Sequence, residues 1–284
     1  MDLHYFQILI LAVVQGAAEL LPVSSSAHVI VAEKLMGLDP TTPEMTMLLV
    51  MLHTGTMFAA IVYFWKAWIA TYFASLPAFR TNALRIVAAT AATGVVGLAL
   101  LFIIKHLVFR NASSFEIEHL FGNTTLMAVS LVAAGVLIIL AARLRERSDD
   151  LTLRSSIWIG AVQGLCLPFR GFSRSGATIS TGLVLGVSRR RAEEFSFALA
   201  VVLTPPVIAK EAWRLYQAAH VQAAGSGHAV DYMHLMGPSL VGMVFSFLAG
   251  LLALRWLSKW LEQGRWHFFG IYCLVAAGVV LAVG

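Results

Sequence analysis

Five stretches of this chain, residues 47 to 65, 84 to 104, 124 to 142, 237 to 254 and 268 to 283, run almost without charge. Each is roughly 20 residues long, enough to cross the hydrocarbon of a bilayer as an α-helix. Lipid offers the backbone no hydrogen-bond partners, so a spanning segment must be a helix or part of a closed barrel. The period-two alternation of barrel strands is missing, which leaves helices. Composition agrees: of 284 residues, 12% are charged and 59% hydrophobic, against about 25% charged in a soluble domain. The sequence predicts an all-α polytopic membrane protein. No low-complexity tract or long polar linker divides it, so residues 1–284 read as a single integral membrane domain. Residues 1 to 14 lack a basic stretch and no clear small-residue cleavage site follows, so a cleaved signal peptide is not expected. Cys166 and Cys273 lie in apolar segments and read as packing residues, not as a disulfide framework.

The basic residues set an orientation. The connections at 66–85, 143–154, 189–191 and 255–265 hold 13 of the 20 Lys and Arg residues. The positive-inside rule puts those connections in the cytoplasm and both termini on the outer side. The spans then alternate only if residues 3–35 and 155–187 each enter and leave on one side, as re-entrant hairpins. These two stretches also match each other. "VQG" at 14–16 is followed by "SSSAH" at 24–28, and "VQG" at 162–164 by "SRSGAT" at 173–178. Pro22 and Pro168 break the first half-helix in each, and small hydroxyl residues start the second. Three spans follow each hairpin. The expected architecture is therefore an inverted-topology repeat with halves near 1–145 and 151–284, a recurring way to build a ligand site at the midplane.

Charge at bilayer depth costs roughly 3 kcal/mol and marks a site. Glu19 and His28 lie in the first hairpin and Arg170 and Arg174 in the second. Ser24, Ser25 and Ser26 open one half-helix; Ser173 and Ser175 open the other. Helix starts present free N–H groups and a positive dipole end. With a guanidinium and hydroxyls beside them, they describe a cradle for a phosphate. Each residue also has a plainer reading. The serines can cap helices, Arg174 can pair structurally with Glu19, His28 can be a satisfied core histidine, Gln15 can donate between helices, and Arg170 can snorkel to an interface. His53 either lines the pocket or bonds across a helix interface. His220, His228 and His234 are expected in an outward connection at 214–236, and Glu193 and Glu194 as acids complementing a helix dipole. The Gly242 to Gly250 face packs either within the fold or between copies, as in a homodimer.

"QGAAELLPVSSSAH" and "RGFSRSGATIS" resemble the two signature segments of the undecaprenyl pyrophosphate phosphatase (undecaprenyl-diphosphatase, bacitracin-resistance) family. Gln15, Glu19, Pro22, Ser24, Ser25 and His28 fit the first signature. Gly171, Ser173, Arg174, Ser175 and Thr178 fit the second. Two positions depart: Arg170 stands where the family has Pro before the glycine, and Gln15 is the variant that removes one carboxylate. The resemblance implies a multi-pass protein of the bacterial inner membrane in cell-wall lipid-carrier recycling. It also implies removal of the terminal phosphate from a polyprenyl diphosphate.

Phosphoryl transfer needs charge stabilisation and an in-line nucleophile. Arg174 is assigned to the phosphate oxygens, helped by N–H groups near Ser173 to Gly176. Gln15, Ser24, Ser26, Ser173, Ser175, Gly176, Thr178 and Arg170 are the other expected phosphate ligands. Glu19 is a general base or the holder of a divalent cation, Mg²⁺ or Ca²⁺. His28 is general acid/base or nucleophile, and Ser25 is the rival nucleophile if His28 activates it. The competing function is a polyprenyl-phosphate flippase or transporter using the same pocket.

Overall fold

The computed structural model describes residues 4–39, 42–108, 123–144, 149–226 and 232–283. Its described residues form helices, with one isolated backbone bridge between Asp149 and Val187 and no strand. A short pair comes first, α1 (Tyr5–Leu20) and α2 (Ser25–Leu35), then α3 (Pro43–Tyr72), α4 (Leu76–Ile103) and α5 (Thr124–Ala142). A second short pair follows, α6 (Leu153–Leu165) and α7 (Arg174–Val184), then α8 (Arg189–Ser226), α9 (Tyr232–Glu262) and α10 (His267–Val283). Five segments are long and apolar enough to cross a bilayer: Met45–Tyr72, Leu76–His106, Thr124–Ala142, Arg189–Lys210 and Met236–Glu262. The run at 268–283, expected as a span, is the 17-residue α10, about 25 Å long at 1.5 Å per residue.

Local chemistry sets the breaks. Pro22 has no N–H to continue α1, and the chain turns through Val23 and Ser24 before α2. Pro168 lies in the matching turn between α6 and α7. Thr42, Ser75, Asn123, Thr152 and Ser173 each cap the helix they precede by accepting from a backbone N–H. The core is aromatic and aliphatic, with Phe64 stacked on Trp68 and Phe197, and Trp266 against Phe269. Many large apolar side chains, among them Trp65, Leu98, Leu252 and Val275, point outward, as lipid solvent permits.

Packing exchanges partners between the halves. Helix α1 lies along α9 and α6 lies along α4, while α5 pairs with α10 and α3 with α9 and, less extensively, α8. Close approach needs the two matched glycines. A Cβ on Gly16 would meet the Ser246 carbonyl at 2.5 Å, and one on Gly164 the Thr93 carbonyl at 2.8 Å. Gly242 packs on Leu48, Leu52 and Ile8 and Gly250 on Leu20 and Ala59, so this face is filled within the fold.

Two expectations are corrected. The 214–236 stretch is not one connection: α8 continues to Ser226 and α9 begins at Tyr232, which puts His220 and His234 in helices, while His228 lies outside the described residues. Glu193 and Glu194 do not serve mainly as dipole partners. Both are buried; Glu193 accepts from the Ser258 hydroxyl, and Glu194 pairs with Arg190 at 2.8 Å and Arg191 at 3.0 Å. Cys166 and Cys273 are free thiols, as the sequence predicts.

Candidate active site

The turns of the two short pairs touch. The Ser24 hydroxyl donates to the Arg170 carbonyl at 2.6 Å, and the Ser175 hydroxyl to the Leu21 carbonyl at 3.2 Å. Gly176 lies against Pro22, so a methyl there would sit 3.3 Å from the Pro22 Cβ. This contact brings the ends of α1 and α2 to the start of α7.

Glu19, one residue before the end of α1, is the hub. Its Oε1 accepts from Arg174 Nη2 at 2.7 Å. Its Oε2 accepts from the Ser25 hydroxyl at 2.5 Å and from Gln15 Nε2 at 3.2 Å. Gln15 is one turn back on the same face of α1, so it holds the carboxylate without adding charge. His53, on α3, donates Nδ1–H to the Leu49 carbonyl at 2.8 Å and sets Nε2 3.8 Å from Glu19 Oε2. Of its two sequence readings, His53 takes the first and lines the site. The Glu19 side chain is 16% exposed and that of Arg174 26%, so the pair is reachable yet largely screened from bulk water.

Ser24 has φ 67°, and it is the only non-glycine residue with positive φ among those described. That left-handed conformation is costly for a residue with a side chain and survives where contacts over-determine it. The Ser24 hydroxyl is spent on Arg170 and makes no cap for α2. The first N–H groups of α2, beside Ser25 and the half-buried Ser26, receive no side-chain cap from Ser24.

Several expected phosphate ligands are committed elsewhere. Ser173 Oγ accepts from Gly176 N at 3.2 Å and caps α7. The Thr178 hydroxyl is buried against the Arg174 carbonyl at 2.8 Å and Ser196 Oγ at 2.6 Å. Ser175 is turned to Leu21. These residues hold the turn that carries Arg174. Arg170 is exposed and is the cation acting on the buried Glu33 of α2. His28 sits one turn after Ser25 but is turned aside: Nδ1 meets the Ser24 carbonyl at 2.8 Å and Nε2 the Tyr272 hydroxyl at 2.7 Å. Among the described residues no hydrogen bond joins it to Ser25, Glu19 or Arg174. Sequence reasoning missed Tyr272, which sits in an apolar helix with no motif around it.

No group of three or more His, Cys, Asp or Glu among the described residues is arranged to hold a metal ion. Glu19 brings one carboxylate and Gln15 and Ser25 neutral oxygens. That set suits a divalent cation sharing the oxygens of a phosphate substrate and does not suit one caged by protein alone.

Comparison with known proteins decides the family. The model of the family described as bacitracin resistance protein BacA matches residues 8–279. The chain belongs to the BacA family. It is 64% identical over 282 residues, 99% of this chain and 97% of the relative, to undecaprenyl-diphosphatase 2 of Acinetobacter baylyi. It is 32% identical to undecaprenyl-diphosphatase 2 of Burkholderia orbicola and 33% to undecaprenyl-diphosphatase 1 of Burkholderia pseudomallei, over 94% of this chain and 92% of each relative. The BacA match takes in all but the first three residues of the two short helix pairs and every residue of the Glu19 cluster.

Proposed function

We propose that this chain is a membrane phosphatase that removes the terminal phosphate of undecaprenyl diphosphate, giving the monophosphate carrier and inorganic phosphate. One observation carries the chemistry: Glu19 is bonded at once to a hydroxyl, Ser25, and to a guanidinium, Arg174. Membership of the BacA family and 64% identity to an undecaprenyl-diphosphatase support the substrate.

Ser25 is the nucleophile of this scheme, because its hydroxyl already donates to a carboxylate. Substrate phosphate draws Arg174 away from Glu19 and is cradled by the guanidinium and the free N–H groups of α2. Ser25 Oγ passes its proton to Glu19 Oε2 and attacks the terminal phosphorus. The bond from that phosphorus to the bridging oxygen breaks, and its electron pair leaves with the lipid monophosphate. Water then attacks the phosphoserine, the phosphorus–Oγ bond breaks, and Glu19 returns the proton to Ser25. Mg²⁺ or Ca²⁺ carried in on the diphosphate would meet Glu19 and would offset phosphate charge.

The inverted repeat belongs to the same reading. The exchanged packing of α1 on α9 and α6 on α4, with matched glycines at both contacts, supports halves of opposite topology whose short pairs dip into the bilayer from opposite faces. The positive-inside distribution supports an inner-membrane protein with both termini outside.

The test is phosphate release from undecaprenyl diphosphate by purified protein in detergent, wild type beside Ser25→Ala. Release by wild type and a drop of about 1000-fold in Ser25→Ala are expected. A protein that binds the lipid and liberates nothing is a carrier, and the proposal then fails.

A further inference from the structure

His28 has a carbonyl on one side and a phenol on the other. The Ser24 carbonyl can only accept, so Nδ1, 2.8 Å away, carries the proton in the neutral ring. Nε2 is then an acceptor, and the Tyr272 hydroxyl at 2.7 Å is its donor. The two rings stack with centroids 5.6 Å apart and planes 12° from parallel. The Ser24 carbonyl therefore fixes the tautomer, and Tyr272 completes it as donor and holds the direction of the imidazole.

What that imidazole holds in turn is the Ser24 peptide, the strained one. Ser24 sits at φ 67° immediately before Ser25, and its carbonyl accepts from His28. The next residue of α10 reaches the same turn: the Cys273 thiol donates to the Pro22 carbonyl at 3.3 Å. Helix α10 thus grips the turn of the first pair at Pro22 and, through His28, at Ser24. The turn's orientation decides whether Ser25 Oγ points at Glu19.

We propose that Tyr272 is a positioning residue of the reaction, acting through His28 to hold the Ser24 turn so that the Ser25 hydroxyl stays on Glu19. This rests on the phosphatase reading above and deepens it. Tyr272 is nearly half exposed, so its hydroxyl is not bound there merely to satisfy burial.

Tyr272→Phe deletes the hydroxyl and keeps the stacked ring, so folding is not at issue. The expected kcat for phosphate release falls about fivefold to tenfold, the worth of one neutral hydrogen bond, with KM within about twofold. The double variant His28→Gln with Tyr272→Phe is expected to be no slower than His28→Gln alone, because the hydroxyl acts through the imidazole. Without substrate, the ¹⁵N signal of His28 Nε2, assigned by its loss in His28→Gln, is expected to move in Tyr272→Phe. An unchanged kcat, a rise in KM alone, or losses that multiply in the double variant would each overturn the proposal. Should wild type release no phosphate, the function fails instead, and the ¹⁵N signal still reports whether Tyr272 holds His28.

Discussion

Ser25 and Arg174 each open the second helix of a short pair, directly after a serine, and both reach the same carboxylate. One gives a hydroxyl to Glu19 Oε2 and the other a guanidinium to Glu19 Oε1. Their preceding serines differ. Ser173, at φ −57°, caps its own helix, whereas Ser24, at φ 67°, leaves its helix uncapped and bonds the opposite pair. The matched glutamines differ too. Gln15 Nε2 holds Glu19, and Gln163 Nε2 holds Thr93 on α4. Four residues after Gln15 stands an acid; four after Gln163 stands Leu167. The same backbone device has been used once to present an acid and a hydroxyl and once to present a cation on a tightly capped turn.

The largest effect should come from the contact between the pairs. Arg174→Ala and Glu19→Gln are each expected to lower phosphate release by about 1000-fold or more. Arg174→Ala also leaves a carboxylate without its cation, at a cost of about 3–5 kcal/mol in stability. The exchange variant Glu19→Arg with Arg174→Glu restores the pair but strands Ser25 beside a guanidinium, so thermal stability should recover while release stays absent. Recovery of activity in the exchange would mean that the two pairs are chemically interchangeable, against the asymmetry drawn above.

The glutamines sharpen the comparison at smaller scale. Gln15→Ala frees the Glu19 carboxylate to rotate and should cut kcat about tenfold with little change in melting temperature. Gln163→Ala should do the reverse: about 1 kcal/mol of stability lost with its bond to Thr93, and release within about twofold of wild type. Equal losses of activity in both variants would place Gln163 in the chemistry and break the distinction.

Which parts were readable from sequence follows from what each signal encodes. Long apolar runs report the solvent, so four of the five quoted spans appear as long apolar helices and the fifth as the shorter α10. The "VQG" and serine pattern reports where helices break, and both breaks occur where Pro22 and Pro168 stand. Spacing does not report which way a hydroxyl turns. Ser175 and Thr178 have the same sequence credentials as Ser25, yet their hydroxyls face protein and Ser25 faces Glu19. The sequence makes Ser25 a rival nucleophile only if His28 activates it, but His28 is bonded to the Ser24 carbonyl and Tyr272. The left-handed Ser24 instead points the hydroxyl back at α1. The polar 214–226 segment reads as a loop by hydropathy, while its Ala, Gln, Leu and Arg residues favour the helix that forms.

The smallest effect lies at the base of the second pair. There the Asp149 carbonyl accepts from Ser188 N at 3.1 Å, and Asp150 Oδ1 accepts from Leu151 N at 2.7 Å and Arg191 Nε at 3.1 Å. The first pair begins differently, with His4 N donating to Gln7 Oε1 at 3.1 Å and the His4 carbonyl accepting from Gln7 N at 2.9 Å. Partial burial works against the Asp150 charge, but the Leu151 N–H and the Arg191 guanidinium overcome it and hold the carboxyl below its ordinary range. A carboxyl lowered in the folded state stabilises above its unfolded value, near 3.9 or about pH 4, and the contribution is lost as pH falls through the folded one. The side chain is 71% exposed, so solvent screens the contribution to about 0.5 kcal/mol at most. Asp150→Asn should therefore melt about 1–2 °C below wild type at pH 7, and the two curves should converge as pH falls through the lowered folded value. Phosphate release at pH 7 should not change. A gap that persists at low pH would trace the loss to the Leu151 and Arg191 hydrogen bonds themselves, which the amide would then have failed to keep, and not to the charge that sets the base of one pair apart from the other.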